Sequence, residues 1–196
     1  MKFRFKILEN EPSKLYDVGK NVLNKTQRAD DNVDKTKINL SDVVEIRLMT
    51  KEQASKTLIN VLKYHHPWWL STPASEDTIM TVNPDGSIDY EGSNPCNQLN
   101  DFAIRPIIYV RSRYRELNMG DIIEDNQKRQ WIYLGGGYKI DNLFIDAVFL
   151  LKGAPLLMSC FNDKELDGTP QAIQYDGSKV DRFLNDWLKR SKQPQQ

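Results

Sequence analysis

Long apolar runs are absent: none exceeds the five residues from Ala147 to Leu151, which excludes a membrane-spanning helix. Cysteine is scarce as well. Cys96 and Cys160 make neither a CxxC pair nor a disulfide framework, which fits a reducing, cytoplasmic setting. The two histidines, His65 and His66, are adjacent, so no regular helix or strand turns both toward one metal. No acid or thiol stands near them at ligand spacing, and they read as polar residues ending a helix at Pro67. No metal and no cofactor is expected. Excess charge of either sign is also missing. With 27 basic and 27 acidic residues and a pI of about 6.7, no bulk field holds nucleic acid or an anionic membrane. Repeats of solenoid period and low-complexity linkers do not occur. The opening Met1-Lys2-Phe3-Arg4-Phe5-Lys6 alternates charge with apolar residues and reads as neither a signal nor a transit peptide.

What is present is one ordinary domain, or at most two small ones: 196 residues, 39% of them apolar. A chain of this size buries roughly 70% of its extended surface and needs no cross-link. Phe3, Phe5 and Ile7 alternate as a strand with a basic outer face, and Leu15, Val18 and Val22 recur at helical spacing after Ser13. Thr26 to Lys37 is a polar loop. Val44, Ile46 and Leu48 alternate as a second strand. Thr50 with Gln53 has the spacing of a capping box, opening a helix that carries Ala54, Leu58, Val61 and Leu62 on one core-facing side.

From Trp68 to Val110 the texture is β. Ile79–Val82 and Ser87–Tyr90 flank Asn83-Pro84-Asp85-Gly86 as a hairpin. Asp85-Gly86-Ser87 with Asp89 faintly resembles a calcium loop, but the turn explains these residues. Ala103 to Val110 is a buried-strand candidate whose first half Pro106 demotes to an edge or a bulge. Trp131–Leu134 is followed by Gly135-Gly136-Gly137. No Lys-Ser/Thr follows those glycines, so they read as a wide hairpin turn into Tyr138–Ile140 rather than as a phosphate loop. Ala147–Leu151 and Leu156–Met158 are further strands. Ser178 caps a helix with Val180, Phe183, Leu184, Trp187 and Leu188 on one face, and Ser191 to Gln196 is a frayed tail. Strands and helices do not alternate regularly, so the class is α+β with mostly antiparallel, irregular sheets and two to three packed helices.

Charge distribution says more than charge total. No Lys or Arg occurs between His65 and Ile104, where Glu76, Asp77, Asp85, Asp89, Glu91 and Asp101 stand. Arg105, Arg111, Arg113 and Arg115 follow with no acid among them. If that stretch is extended, Arg111, Arg113 and Arg115 share one side and Tyr114 takes the other. Such a ridge suits phosphate or an acidic partner. Pairing with the acidic stretch inside the same chain is the competing reading.

Trp68-Trp69-Leu70-Ser71-Thr72-Pro73, the glycine hairpin after it, and Ala103-Ile104-Arg105-Pro106-Ile107 together resemble a bacterial and phage domain of unknown function. That family carries WWLRSP and, further on, GVRPA, and is related to the C-type-lectin-like and sulfatase-modifying-factor fold. Thr50 to Ala54 is similar to its LS-x-E-E helix start. Ser71 replaces the family's Arg and Ala103 its Gly, so a ligand role for the first Arg is lost here. Family segments that normally precede the tryptophans come after them in this chain. Gly120–Ile123 resembles GD-x-I, Trp131–Leu134 the W-x-V-L strand, Leu156–Ser159 the LLLS strand and Val180–Asn185 the LR-x-W-L-N helix. The order implies a circular permutation, or the end of one copy followed by the start of another.

The resemblance covers roughly residues 45–190 and implies one compact domain there. Residues 1–44 would be a strand–helix extension and 191–196 a tail. It implies structural roles for Trp68, Trp69, Pro73, Arg105 and Pro106, with the indoles and a buried Arg105 meeting in one nucleus. It further implies a non-enzymatic recognition module of phage or mobile-element origin that binds another protein. Two alternatives stay open. One is an inhibitor of a nucleic-acid or host-defence complex acting through the arginine ridge. The other is a cysteine-dependent, oxidase-like enzyme using Cys96 and Cys160.

Overall fold

The computed structural model describes residues 37–112, 114, 117–140 and 143–193. The expected first strand and first helix lie outside them, as do most of the polar loop, Arg113, Arg115 and the last three residues. The chain enters at Ile38, which bridges to Asp125, and Ile38 and Leu40 are fully buried although they precede the boundary expected at residue 45.

Strand β1 (Val43–Arg47) does not keep the expected phase. A register shift between Val43 and Glu45 puts Val43, Ile46 and Leu48 in one core cluster, while Val44 packs partly against the other. A bulge of this kind breaks the period of two. Thr50 then forms the complete capping box: its side chain accepts from Gln53 N–H at 3.2 Å, and Gln53 Oε1 accepts from Thr50 N–H at 2.9 Å.

One helix from Thr50 to Leu62 was the expectation; two short ones are found. Helix α1 (Lys51–Ser55) stops where the Thr57 hydroxyl donates to Gln53 O at 2.8 Å, and Leu58 turns to φ −58°, ψ 134° before α2 (Ile59–Leu62). A threonine hydroxyl of this kind competes with the helix for its carbonyl. The phase is lost, so Ala54 and Leu62 are buried while Leu58 is 65% exposed.

Strands β2 (Trp68–Pro73), β3 (Ile79–Val82) and β4 (Ile88–Ser93) form an antiparallel meander. Its Asn83–Gly86 turn is as expected. Gly86 has φ +89°, and a Cβ there would meet Ile59 O at 2.5 Å. Pro106 makes neither an edge nor a bulge but divides two strands. Strand β5 (Phe102–Ile104) lies inside one sheet, between β2 and a later strand, and β6 (Ile107–Val110) belongs to the other sheet. Without an N–H to offer a ladder, proline suits this crossing.

Strand β7 (Ile122–Glu124) leads into β8 (Gln130–Gly135), β9 (Tyr138–Ile140), β10 (Leu143–Ile145) and β11 (Ala147–Leu151). Strands β9 and β10 pair with each other, and β8 pairs with β11. The hairpin therefore closes beyond Ile140. The three glycines, expected as its turn, are a bend midway along one arm. A Cβ on Gly136 would lie 1.8 Å from Asp146 O on the opposite arm, a fit only glycine allows. Strand β12 (Leu157–Ser159) and helix α3 (Lys179–Ser191) complete the chain.

The result is an α+β fold with two five-stranded sheets, ordered β1-β6-β11-β8-β7 and β12-β5-β2-β3-β4, antiparallel except for β2 beside β5. Strand β6 shows how the core divides. Ile108 and Val110 join a cluster with α3, whereas Ile107 and Tyr109 join a cluster with α1 and α2. Both faces of the central strands are thus covered, which is why they read as continuous apolar runs. Among the described residues no helix is long and apolar enough to cross a membrane.

Candidate functional site

Trp68 and Trp69 are neighbours in β2, so their rings leave opposite faces of the sheet. Trp69 lies in the α3 cluster against Phe102 and Phe161, with ring centroids 4.8 Å and 5.6 Å away, and donates from Nε1 to Ser159 O at 2.8 Å. Trp68 lies in the other cluster and donates from Nε1 to Leu62 O at 3.2 Å. The expected single nucleus is therefore divided: Arg105 meets Trp68 and not Trp69. Pro73 is exposed at the end of β2.

Arg105 is 1% exposed. Its Nε donates to Leu151 O at 2.7 Å, Nη1 to Leu62 O at 3.0 Å and Nη2 to Val61 O at 3.1 Å. The guanidinium lies 4.6 Å from the Tyr64 ring centre and 5.1 Å from that of Trp68. Among the described residues no carboxylate forms an ion pair with it. Burial, opposed by Tyr64, pushes it down to about 10, so it stays charged at neutral pH. Planar donors facing three carbonyls and two ring faces need no counter-ion.

Tyr64, 8% exposed, donates to Gly153 O at 2.6 Å, and burial, partly offset by Arg105, pushes its phenol up to about 12. The unfolded chain ionises this group near 10, the native fold only near 12. Protons therefore favour the folded state, and stability falls as pH rises through that window. Tyr64→Phe flattens this alkaline limb, as urea midpoints recorded across the window would show. An unchanged slope would remove Tyr64 as its cause.

Of the arginine ridge, Arg111 alone is placed. Strand β6 ends at Val110, and Arg111 is exposed with its N–H donating to Asp42 O at 3.1 Å. The Ser112 hydroxyl donates to Asp42 Oδ2. Tyr114 turns inward, edge-on to Phe149 at 5.1 Å, and its buried hydroxyl has no partner among the described residues. Burial first, then Asp42 and Asp146, push that phenol up. Pairing of Arg111 with the acidic stretch does not occur. Among the described residues Glu76, Asp77, Asp85, Asp89, Glu91 and Asp101 form no ion pair. Asp85 instead accepts from Ser87 N–H and Oγ–H at 2.9 Å and 2.6 Å, completing the turn that had a faint calcium-loop look.

Sequence reasoning missed Asp125. Its fully buried carboxylate accepts from Gln127 N–H at 2.7 Å, Arg129 N–H at 2.9 Å and Trp131 Nε1–H at 3.0 Å. The only sequence signal was an Asp-Asn pair between two strands, the mark of a turn. His65 follows α2 and stacks on Tyr64 at 4.2 Å, and among the described residues no cluster fit for a metal occurs. An apolar recess lies between Met49, Ile107, Met119, Leu134 and Val148. Gln53, Lys56 and Thr57 complete its lining; the Gln53 amide is committed to Thr50 and Tyr109, and the Thr57 hydroxyl to Gln53 O. Cys96 and Cys160 are buried free thiols. Set against models of known families, curated proteins and solved structures, the chain matches none of them.

Proposed function

We propose that this chain is a non-enzymatic recognition domain, phage- or mobile-element-encoded, that binds another protein from a permuted C-type-lectin-like frame. The observation that carries the reading is charge left unpaired at the surface. Arg111 emerges exposed from a fully buried strand, and among the described residues neither it nor the acidic stretch forms an ion pair. Charges held out of internal pairs are available to steer and orient a partner. The residues that carry the resemblance are used inside the fold: Arg105 grips carbonyls, and the Trp68 and Trp69 indoles are buried. The permuted order gains support from α3, which packs on β1 and on the 3-10 turn Leu40–Asp42. The end of the domain thus lies beside its beginning, the condition under which a chain can be reopened elsewhere.

The test is charge reversal. A partner captured stoichiometrically by the native chain should bind at least about tenfold more weakly to the Arg111→Glu, Arg113→Glu, Arg115→Glu chain, mostly through slower association. Capture indifferent to all three reversals would discard this surface. Binding that instead follows a nucleic acid, with affinity falling steeply as salt rises, would favour phosphate recognition.

A further inference from the structure

Two sulfurs far apart in sequence lie in one buried patch. Cys96 and Cys160 are each 2% exposed, and Asn162 N–H donates to Pro95 O at 2.9 Å, so the segments carrying them run side by side. Their surroundings differ. Cys160 Sγ lies 3.4 Å from Lys179 Nζ and 3.4 Å from Gln98 Nε2, two nitrogen donors directed at one sulfur. Its own S–H has Asn162 O, 3.3 Å away. Asn162 also fixes the lysine, accepting from Lys179 N–H at 3.1 Å, and is anchored in turn on Gln171 O and Ala172 O. Among the described residues Cys96 has no such donors. Burial, then Asp167, Cys160, Asp163 and Glu165, push its thiol up to about 11. A cation and an amide donor stabilise charge developing on sulfur, and surrounding carboxylates oppose it. Gln98 is exposed and Lys179 partly so, which leaves Cys160 one side chain below the surface.

We propose that Cys160 is a modification site that takes up a small-molecule disulfide as a mixed disulfide, while Cys96 stays reduced. In that step the Cys160 S–H releases its proton to solvent and the sulfur attacks one sulfur of the reagent. The reagent's S–S bond breaks, and the departing thiolate takes up a proton. One external disulfide, the oxidant, is consumed; one protein–reagent disulfide forms and one free thiol leaves.

The test treats the folded full-length chain with oxidised glutathione at neutral pH and maps the adduct by mass spectrometry. A single adduct on Cys160 is expected, forming about tenfold faster than any on Cys96. Lys179→Met slows it by about fivefold, Lys179→Arg restores it, and Cys96→Ser leaves it unchanged. Gln98→Leu, at an exposed position, slows the reaction without disturbing α3, so the answer does not hang on the lysine variant folding. First modification at Cys96, labelling only under denaturant, or rates indifferent to both donor variants would overturn the assignment. The arginine surface plays no part in this outcome.

Discussion

Arg105→Ala lowers the free energy of unfolding by about 4 kcal/mol, a large share of the roughly 5–15 kcal/mol that holds a domain together. The carbonyls of Leu151 and Val61 lose the guanidinium donor at once, and Leu62 O is left with Trp68 Nε1–H alone. Each buried acceptor left without a partner costs about 1–3 kcal/mol, and the cavity between Tyr64 and Trp68 adds to the loss. Water entering that cavity offsets part of the sum, which keeps the total near the lower bound. Arg105→Lys keeps the charge but not the planar fork, so about half the loss is expected. Equilibrium urea unfolding gives the answer, with the midpoint falling and the slope unchanged. A loss below about 1 kcal/mol for the alanine variant would mean that the guanidinium is a passenger in the core.

Gly136→Ala is expected to cost about 3 kcal/mol, although alanine is the smallest change available. Its Cβ would stand 1.8 Å from Asp146 O and 2.6 Å from Asp146 C, and both neighbours are backbone atoms that cannot rotate away. The arms of the hairpin must part. That threatens the Gly137 N–H bond to Ile145 O at 3.0 Å and the Asp146 N–H bond to Val110 O at 3.0 Å. Gly153→Ala is the control. The nearest atom to a Cβ there is Gln130 N at 3.9 Å, an ordinary contact, so its thermal midpoint should match wild type. Equal midpoints for both variants would show that the bend opens freely.

Where one local rule decides an element, the sequence was legible. Helix α3 follows its period, with Val180, Leu184, Trp187 and Leu188 buried and Ser178 Oγ accepting from Asp181 N–H at 3.1 Å. The capping box at Thr50 and the turn at Asn83–Gly86 are of the same kind. Elements decided by competition between partners were not legible. One hydroxyl, that of Thr57, ends α1 early and exposes Leu58. The glycine run advertised conformational freedom but not its use, because the hairpin closes further along. Pro106 announced a broken ladder without saying that the strand changes sheets.

The candidate site was legible in the same uneven way. The apolar flanks of Arg105 pointed to burial against either backbone carbonyls or a carboxylate, and the fold supplies the carbonyls. The tryptophans are a miss that strand geometry itself could have prevented, since adjacent residues cannot face one nucleus from a regular strand. The proximity of Cys96 to Cys160, and of Lys179 to the latter, arises from loops closing over one another, which no local pattern encodes.

The chain that leaves one sheet at Ile104 enters the other at Ile107, and between them a guanidinium holds Leu151 O on one flank and Leu62 O on the other. Partial melting therefore finds no seam along which to begin. Loss of order in either half then disturbs this junction, so one shared cooperative transition is the expected behaviour rather than two halves opening in turn.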